Sequence, residues 1–525
     1  MGQLVARDLN PYRLTLFTGE NDQDGLEDQE VFGRQRGAKL YRARGVHQIG
    51  RGRLLTRRGY TPLLTSAVNG AAAMQGLYFH ETAGNRYLVA VAGGKVKYTT
   101  GALGSWTDYT SGITLTAGQD VLHRFCTYQD SNSLYVIGTD GVNRPYALVP
   151  GTSTCVTLPG AGNVPALAAD IQEFHGYLLV LGPEGDPTLL EASQYGQLAW
   201  TDPIIIQTTK NSRGLALARP NRDALLAFYE DQIWRVQFNN TGSSALTAYP
   251  VEGSEPAVSR TSICTSRGYT YYAGNNGPYR IGSPRQPAQY IGHDIEQFWD
   301  ECNKNRRKYI STFKRGFPWS EVVFCVSYGT STVHNAYLLW NEDRESFTII
   351  PPAVVAGTLE FNCGTNWRDT NNVDHTIMGG YTGVAYKAWG AANSDSTYYD
   401  NGQDIKWELQ SGLLNYGYDG VKSQRFVWVD YEAADQHTID VELETIGSDV
   451  TVRKSFVLGT VGDLLDVNFT LDESYLQAGR VAYTQKKIEA RSRFFQWKFS
   501  ETGHGVPLIF TNFTFPHVRL GVGLK

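Results

Sequence analysis

The sequence predicts an all-β protein, with a β-propeller of six or seven blades, a short helical insertion and a C-terminal β-sandwich. Three observations predict this fold class: the composition, a recurring hairpin pattern, and a change in strand pattern near residue 399. Among 525 residues, 55 are glycine, 12% are aromatic and only 19% are charged. Aromatic residues favour pleated surfaces and glycine supplies tight turns, so many short strands are expected. The composition excludes a helix bundle, a coiled coil and a disordered chain.

One hairpin pattern recurs seven times along the chain. Each copy has a short apolar strand, a turn containing Gly or Asp, and a second strand with an aromatic residue; the copies begin at Tyr87, Leu134, Tyr177, Leu225, Tyr269, Val322 and Thr376. Successive copies begin 43 to 54 residues apart. This spacing fits a blade of four antiparallel strands, which takes roughly 40 to 50 residues. We therefore predict a propeller over residues 66–398; the alternative is a set of unrelated hairpins in a sandwich or several small barrels.

A helix interrupts this pattern late in the propeller region. Ile295, Phe298, Trp299 and Cys302 have the i, i+3, i+4, i+7 spacing of one apolar helical face. Acidic residues at its start and basic residues at its end agree with the direction of the helix dipole. The pattern predicts an inserted helix of about three turns that packs against the propeller.

The strand pattern changes from about Tyr398 onward. The strands become longer and carry charged residues at alternate positions, beginning at Asp404, Arg425, Thr438, Arg480 and Arg493. Strands with one apolar and one polar face are typical of a sandwich, in which only one face of each sheet is buried. Residues 399–525 are therefore predicted to form a separate β-sandwich-like domain.

The N-terminal segment, residues 1–65, is predicted to be an arm with an asymmetric charge pattern. Six acids lie between Glu20 and Glu30, nine basic residues follow between Arg34 and Arg58, and the next acid is Glu81. A solvated or subunit-bridging arm explains this pattern, and the alternative is contact with nucleic acid or with an acidic surface of a neighbouring subunit.

Motifs that carry chemistry are mostly absent from the sequence. There is no GxSxG, HExxH or P-loop pattern, the histidines have no ligand spacing, and the six cysteines form no CxxC pair. We therefore expect no catalytic, cofactor-binding or metal-binding residues and no enzymatic activity. The net charge of −5 argues against an ordinary basic nucleic-acid binder. The sequence has neither a signal-peptide pattern nor an apolar run long enough to cross a bilayer, so synthesis in the cytoplasm is expected.

Four stretches of the sequence carry a family resemblance: GRGRLLTRRGYTPL from Gly50 to Leu63, the blade-like segment from Gly76 to Tyr98, the helix from Ile291 to Trp299, and the closing strands from Arg491 to Phe515. The first contains a "G-x-L-x-x-R-x-G-Y" step that precedes the first blade. Together these stretches resemble the tail nozzle or tail tube proteins of short-tailed, podovirus-like bacteriophages.

The resemblance implies a structural protein of the virion tail, assembled in the cytoplasm of the bacterial host. Members of that family form a hexameric ring below the portal and adaptor proteins, surround the channel through which double-stranded DNA leaves, and dock tail fibres or spikes. At ejection, the tail protein would contact the host envelope. Within this picture we expect Arg51, Arg53, Arg57 and Arg58 to lie at a subunit or adaptor contact or to face the DNA.

Two other functions are compatible with a propeller. One is carbohydrate binding or cleavage, as in a phage receptor-binding protein or depolymerase; a cleaving site would need an acid and a nucleophile placed together. The other is a scaffold-like interaction propeller of cellular origin. The absence of WD and kelch signatures from the blades argues against this function.

Overall fold

The structure is a computed structural model. It describes residues 10–15, 40, 42–49, 53–82, 84–101, 103–111, 113, 115–130, 133–152, 154–158, 167–198, 200, 202–206, 208, 212–239, 245–282, 286–316, 320–352, 360–389, 399–400, 403–414, 416, 421–433, 436–446, 451–458, 482–502 and 507–519. The chain divides into two compact units. The first unit, called here the sandwich unit, comprises Met1–Tyr60, Arg344–Thr358 and Ser396–Lys525; the second, the propeller unit, comprises Thr61–Asp343 and Leu359–Asp395.

This division differs from the three segments expected from the sequence. Residues assigned to an N-terminal arm contribute strands to the same unit as the C-terminal strands. The reason is pairing between strands that are distant in the chain: β1 (Asn10–Thr15) pairs with a strand that begins at Leu508. Four more short strands follow it, namely β2 (Arg42–Arg44), β3 (Val46–Ile49), β4 (Arg53–Thr56) and β5 (Tyr60–Pro62).

The first four blades of the propeller unit are antiparallel sheets of successive strands. Blade 1 has β6 (Met74–Thr82), β7 (Asn85–Ala92), β8 (Lys95–Thr100) and β9 (Thr107–Asp108). Blade 2 has β10 (Thr110–Ser111), which is parallel to its neighbour, β11 (Arg124–Gln129), β12 (Leu134–Thr139), β13 (Tyr146–Leu148) and β14 (Thr154–Thr157). Blade 3 has β15 (Ala168–Phe174), β16 (Tyr177–Pro183), β17 (Leu190–Ala192) and β18 (Ile204–Ile206). Blade 4 has β19 (Gly214–Asn221), β20 (Ala224–Tyr229), β21 (Ile233–Phe238) and β22 (Leu246–Pro250).

Three further blades follow. Blade 5 has β23 (Cys264–Ser266), β24 (Tyr269–Ala273), β25 (Pro278–Ile281) and β26 (Gln289–Tyr290). Within the propeller unit, blade 6 has β27 (Ser311–Arg315), β28 (Glu321–Val326) and β29 (Ala336–Asn341). The strand β30 (Ser346–Ile350) comes next in the chain and belongs to the sandwich unit. Blade 7 has β31 (Phe361–Arg368), β32 (Asp374–Gly380) and β33 (Ala385–Ala388).

The seven blades close into a ring. The innermost strands of the blades are β6, β11, β15, β19, β23, β27 and β31; each lies against the innermost strand of the next blade, and β31 lies against β6. The N-terminal end of the unit strengthens this closure, because the Leu63 amide donates to the Ala385 carbonyl at 2.8 Å. Each of the seven hairpin copies seen in the sequence begins on the strand next to the innermost strand of its blade. The fold class is therefore confirmed, and the propeller has seven blades.

The helical insertion is confirmed but is shorter than expected. The helix α1 (Glu296–Glu301) has six residues and lies between 3-10 turns at His293–Ile295 and Lys304–Tyr309; a third 3-10 turn spans Arg260–Ser262. All four residues of the apolar stripe are buried. The Arg307 guanidinium donates to the Trp299 carbonyl at 3.1 Å and lies 5.3 Å from that indole ring. This contact satisfies a carbonyl close to the point where the helix ends.

The sandwich unit contains two facing sheets. Its remaining strands are β34 (Tyr399–Asp400), β35 (Gln403–Asp404), β36 (Lys406–Gln410), β37 (Lys422–Ala433), β38 (His437–Ile446), β39 (Thr451–Leu458), β40 (Ala482–Ser492), β41 (Phe494–Thr502) and β42 (Leu508–Arg519). One sheet has the order β3-β4-β42-β37-β40 with β1 beside β42, and the other includes β30-β2-β36-β41-β38-β39. Apolar residues from both sheets form one core rich in aromatic rings, including Trp407, Trp497, Phe499, Phe513 and Phe515. The predicted sandwich is confirmed.

Candidate functional site

The Arg124 side chain lies among the innermost strands of the propeller. The innermost strand of a blade has one edge facing the axis, so its peptide groups need partners from outside their own sheet. Arg124, at the start of β11, pairs with Asp170 of β15 through its Nε at 2.8 Å. Its two terminal nitrogens donate to the carbonyl oxygens of Leu217 at 2.8 Å, Arg260 at 2.9 Å and Ile263 at 3.0 Å. One side chain therefore connects blades 2, 3 and 4 with the turn that leads into blade 5.

Asp170 and Arg260 complete this arrangement, which we call the axial hub. The Asp170 carboxylate is 1% exposed and accepts the Leu217 amide at 2.7 Å as well as the Arg124 guanidinium. Arg260 donates to the carbonyls of Leu122 at 2.8 Å and Thr139 at 3.2 Å, and burial lowers the pKa of its guanidinium to about 10. It remains charged at neutral pH. The hub is structural, because its charges are directed at backbone groups and at one another.

Beside the hub lies an open cavity of about 390 Å³, called here the axial cavity. Its wall comes from the inner strands β6, β11, β27 and β31, the start of β23 and the residues just before β11 and β23. The aromatic residues of the wall are Tyr78, Phe79, Phe125 and Phe313, and its polar residues include His123, Thr312, Lys314, Thr365 and Asn366. Pockets for small organic molecules have this size and this mixture of apolar walls with a few polar groups.

His123 and Lys314 are two ionisable residues of the cavity wall. Burial lowers the pKa of His123 to about 4, so this imidazole is neutral at pH 7, and its Nδ1 shares a hydrogen bond of 2.9 Å with the Tyr146 hydroxyl. Lys314 is exposed. No Asp or Glu occurs among the described residues that line the cavity. A carboxylate pair for glycoside hydrolysis would have to lie elsewhere in the chain.

The four arginines singled out in the sequence do not form one surface. Arg51 lies outside the described residues. Arg53 is partly exposed and pairs with Glu432 at 2.8 Å. Arg57 is fully buried and forms a two-pronged ion pair with Asp400, in which Nη1 lies 2.7 Å from Oδ1 and Nη2 contacts Oδ2. Arg58 is only 9% exposed. The structure therefore brings Arg57 and Asp400 together within the sandwich unit.

The "G-x-L-x-x-R-x-G-Y" step has a structural explanation. Leu54 belongs to the sandwich core, and Tyr60 is buried and pairs in parallel with Asp400. Gly59 allows a close approach of two backbones, because a Cβ at this position would overlap the Tyr399 carbonyl. With the Arg57 ion pair, these residues hold the chain against residues 399–400. The sequence predicts Arg57 at a subunit or adaptor contact or facing DNA, whereas the structure buries it, because an ion pair between residues more than 300 positions apart leaves no local pattern in the sequence.

The axial hub was missed by sequence reasoning, although it has a weak signal. Asp170 interrupts the apolar run Ala168-Ala169-Asp170-Ile171, and a carboxylate within a buried strand needs a cationic or hydrogen-bonding partner. The sequence does not show that this partner is Arg124. Within the described part of the chain there is no group of three or more His, Cys, Asp or Glu residues that could hold a metal ion. In that part, no helix has the length and apolar character needed to cross a membrane.

The fold defines the chain as a seven-bladed β-propeller protein with an added β-sandwich unit. No family model and no curated protein matches the sequence. Solved structures with some similarity include the N-terminal domain of Nup159 (13% identity, 63% of this chain and 94% of that chain, TM-score 0.36) and BBS1N (10%, 64% and 98%, TM-score 0.39). The extracellular domain of a putative one-component system from B. thetaiotaomicron is also similar (11%, 91% and 67%, TM-score 0.39). Because these TM-scores are below 0.5, the fold assignment is based on the sheets described above and not on the three similar structures.

Proposed function

We propose that the protein is a structural component of a phage tail, a nozzle or tube subunit that assembles as a hexameric ring around the DNA exit channel. Its partners would be further copies of itself, the portal and adaptor proteins above, and tail fibres or spikes outside. Double-stranded DNA would pass through the ring without being held. The protein would be located in the tail of the virion.

The main support for this proposal is the position, within the fold, of the sequence stretches that resemble tail nozzle or tail tube proteins. The stretch from Gly50 to Leu63 contains β4 and β5, that from Gly76 to Tyr98 forms most of the first hairpins of blade 1, and that from Arg491 to Phe515 includes β41 and most of β42. The resemblance therefore covers core strands of both units. A shared set of core strands supports a shared architecture more strongly than matching surface loops would.

Exposed aromatic and aliphatic side chains also support assembly. Tyr195, Ile205 and Tyr249 of blades 3 and 4 are 67%, 59% and 53% exposed. Tyrosine is enriched at the centres of protein interfaces, where its ring is buried and its hydroxyl can pair. A net charge of −5 suits a ring that DNA must traverse, because tight phosphate contacts would retain the genome.

The mass of the native particle tests the proposal. Native mass spectrometry of the purified chain should give a species at six times 58.2 kDa. Tyr195→Ser combined with Tyr249→Ser should reduce the fraction of this species, while the buried tyrosines keep the fold intact. The matched control is Tyr399→Ser, which changes an exposed tyrosine of the sandwich unit. A chain that stays monomeric at every concentration would refute the ring.

A further inference from the structure

The axial cavity has a wall that suits the face of an organic ring. Tyr78 and Phe125 stack with centroids 5.4 Å apart and planes 26° apart, so both rings have a fixed orientation. Phe79 and Phe125 are only partly buried. On the neighbouring strands β27 and β31, the Phe313 ring lies over Gly364, where any Cβ would overlap it. The aromatic wall is therefore rigid before any ligand arrives, which lowers the entropic cost of binding.

Three polar atoms in the same wall have no hydrogen-bond partner among the described residues: Nε2 of His123, Oγ1 of Thr312 and Oδ1 of Asn366. His123 is 7% exposed, and its other ring nitrogen is already bonded to Tyr146. Leaving a buried polar atom without a hydrogen bond costs free energy, so a hydrogen bond from a ligand to any of these three atoms would be favourable. A ligand hydroxyl can donate or accept a hydrogen bond. It can therefore pair with either tautomer of the neutral His123 imidazole, with the Thr312 hydroxyl and with the Asn366 amide oxygen.

The charge of the cavity selects the sign of the ligand. Arg124 is neutralised by Asp170, whereas Lys314 is in none of the ion pairs found in the described part of the chain. The lining residues include no carboxylate. An exposed ammonium beside an acid-free cavity attracts an anion.

We propose that the axial cavity binds a small hydroxylated organic anion, the class to which uronic acid sugars belong. The ligand ring lies on the aromatic wall, its hydroxyl groups bond to His123, Thr312 and Asn366, and its carboxylate meets the ammonium of Lys314. This site lies within the propeller unit of a single chain. It goes beyond the proposed tail function, since a monomer would bind the ligand equally well.

Isothermal titration calorimetry on the full chain tests the proposal, with D-galacturonic acid and neutral D-galactose as probes at pH 7. The acid should bind at least about tenfold more tightly than the neutral sugar, because its charged group adds one charge-assisted hydrogen bond. Lys314→Met should remove this preference and leave the weaker binding of galactose unchanged. Lys95→Met, an exposed lysine outside the axial cavity, is the matched control and should change neither affinity.

Thr312→Val removes a hydroxyl with little change of volume, and it should weaken both sugars by roughly three- to tenfold. Circular dichroism of each variant shows that the fold is retained. The proposal is overturned if neither sugar binds at about 10 mM, a concentration that detects very weak sites. It is also overturned if both sugars bind equally, or if Lys314→Met has no effect or only the effect of Lys95→Met.

Discussion

The two units of the molecule use buried charges differently. In the propeller unit, Arg124 and Asp170 lie on innermost strands and bond to the backbones of several blades. In the sandwich unit, the strands pair through their own backbones over long sequence distances, and the Arg57–Asp400 pair holds the segment before β5 against β34. Blades are local hairpins that need side chains to join them at the centre. Long strands pair through their own backbones, and buried pairs there join segments of one unit, as Arg57 with Asp400 and His437 of β38 with Glu501 of β41 do.

Removing the sandwich pair should have the largest effect on stability. Arg57→Met leaves the Asp400 carboxylate buried without its cation, which should lower the free energy of unfolding by about 3–5 kcal/mol. Urea unfolding followed by hydrogen exchange can show whether strands of the sandwich unit open first. The double variant Arg57→Met with Asp400→Leu should recover part of the loss, since two apolar residues can replace a buried pair. A single variant as stable as the parent would contradict the comparison.

The axial hub should be the next most sensitive place. Asp170→Asn removes the charge that balances Arg124, and should lower the free energy of unfolding by roughly 3–4 kcal/mol. Hydrogen exchange should rise in the inner strands of blades 2 to 4, where the hub bonds to the backbone. The control is Asp223→Asn on an exposed turn of blade 4, with an expected change within about 0.5 kcal/mol. Equal effects of the two substitutions would show that the hub does not join the blades.

Acid should weaken the propeller unit through a buried histidine. Burial, helped by the nearby Arg306 cation, lowers the pKa of His334 to about 4, whereas in the unfolded chain it is near 6.5. Between these values only the unfolded chain binds the proton, so stability is complete above pH 6.5 and falls by about 3 kcal/mol as the pH drops to 4. His334→Gln should remove this histidine's part of the pH dependence and leave the part that comes from His123, whose pKa burial also lowers to about 4; urea unfolding at several pH values measures both. The exposed His293, changed to Gln, should leave it in place.

The outer arginine should matter least for folding. Arg53→Ala removes a partly exposed pair with Glu432, and the expected loss is under about 1 kcal/mol. Arg53 therefore suits a test of ring contacts, whereas Arg57→Ala would lower ring yield by damaging the sandwich unit. If Arg51 and Arg53 lie at a subunit or adaptor contact, their joint change to Ala should lower the yield of rings from folded protein, measured by size-exclusion chromatography. An unchanged yield of rings would show that neither Arg51 nor Arg53 contributes to a subunit or adaptor contact.

The sequence predicted the repeating part of the fold well, because each blade is a local hairpin. Tyr87, Leu134 and Tyr177 each lie on the strand next to the innermost strand of a blade, and Gly93 and Gly94 have the positive φ that their turn requires. The pairing of β1 and β4 with β42 was not predicted, because local alternation gives no information on partners more than 450 positions away. The same reason explains why the axial hub was missed and why Arg57 was placed at an outer contact.

The most direct test of the proposed function is an electron micrograph of the purified particle. Averaged images should show a ring with sixfold symmetry and an axial hole. The hole should be wide enough for a DNA duplex, which is about 20 Å across. Images of single propeller-sized particles without a ring, at all protein concentrations, would contradict the proposal.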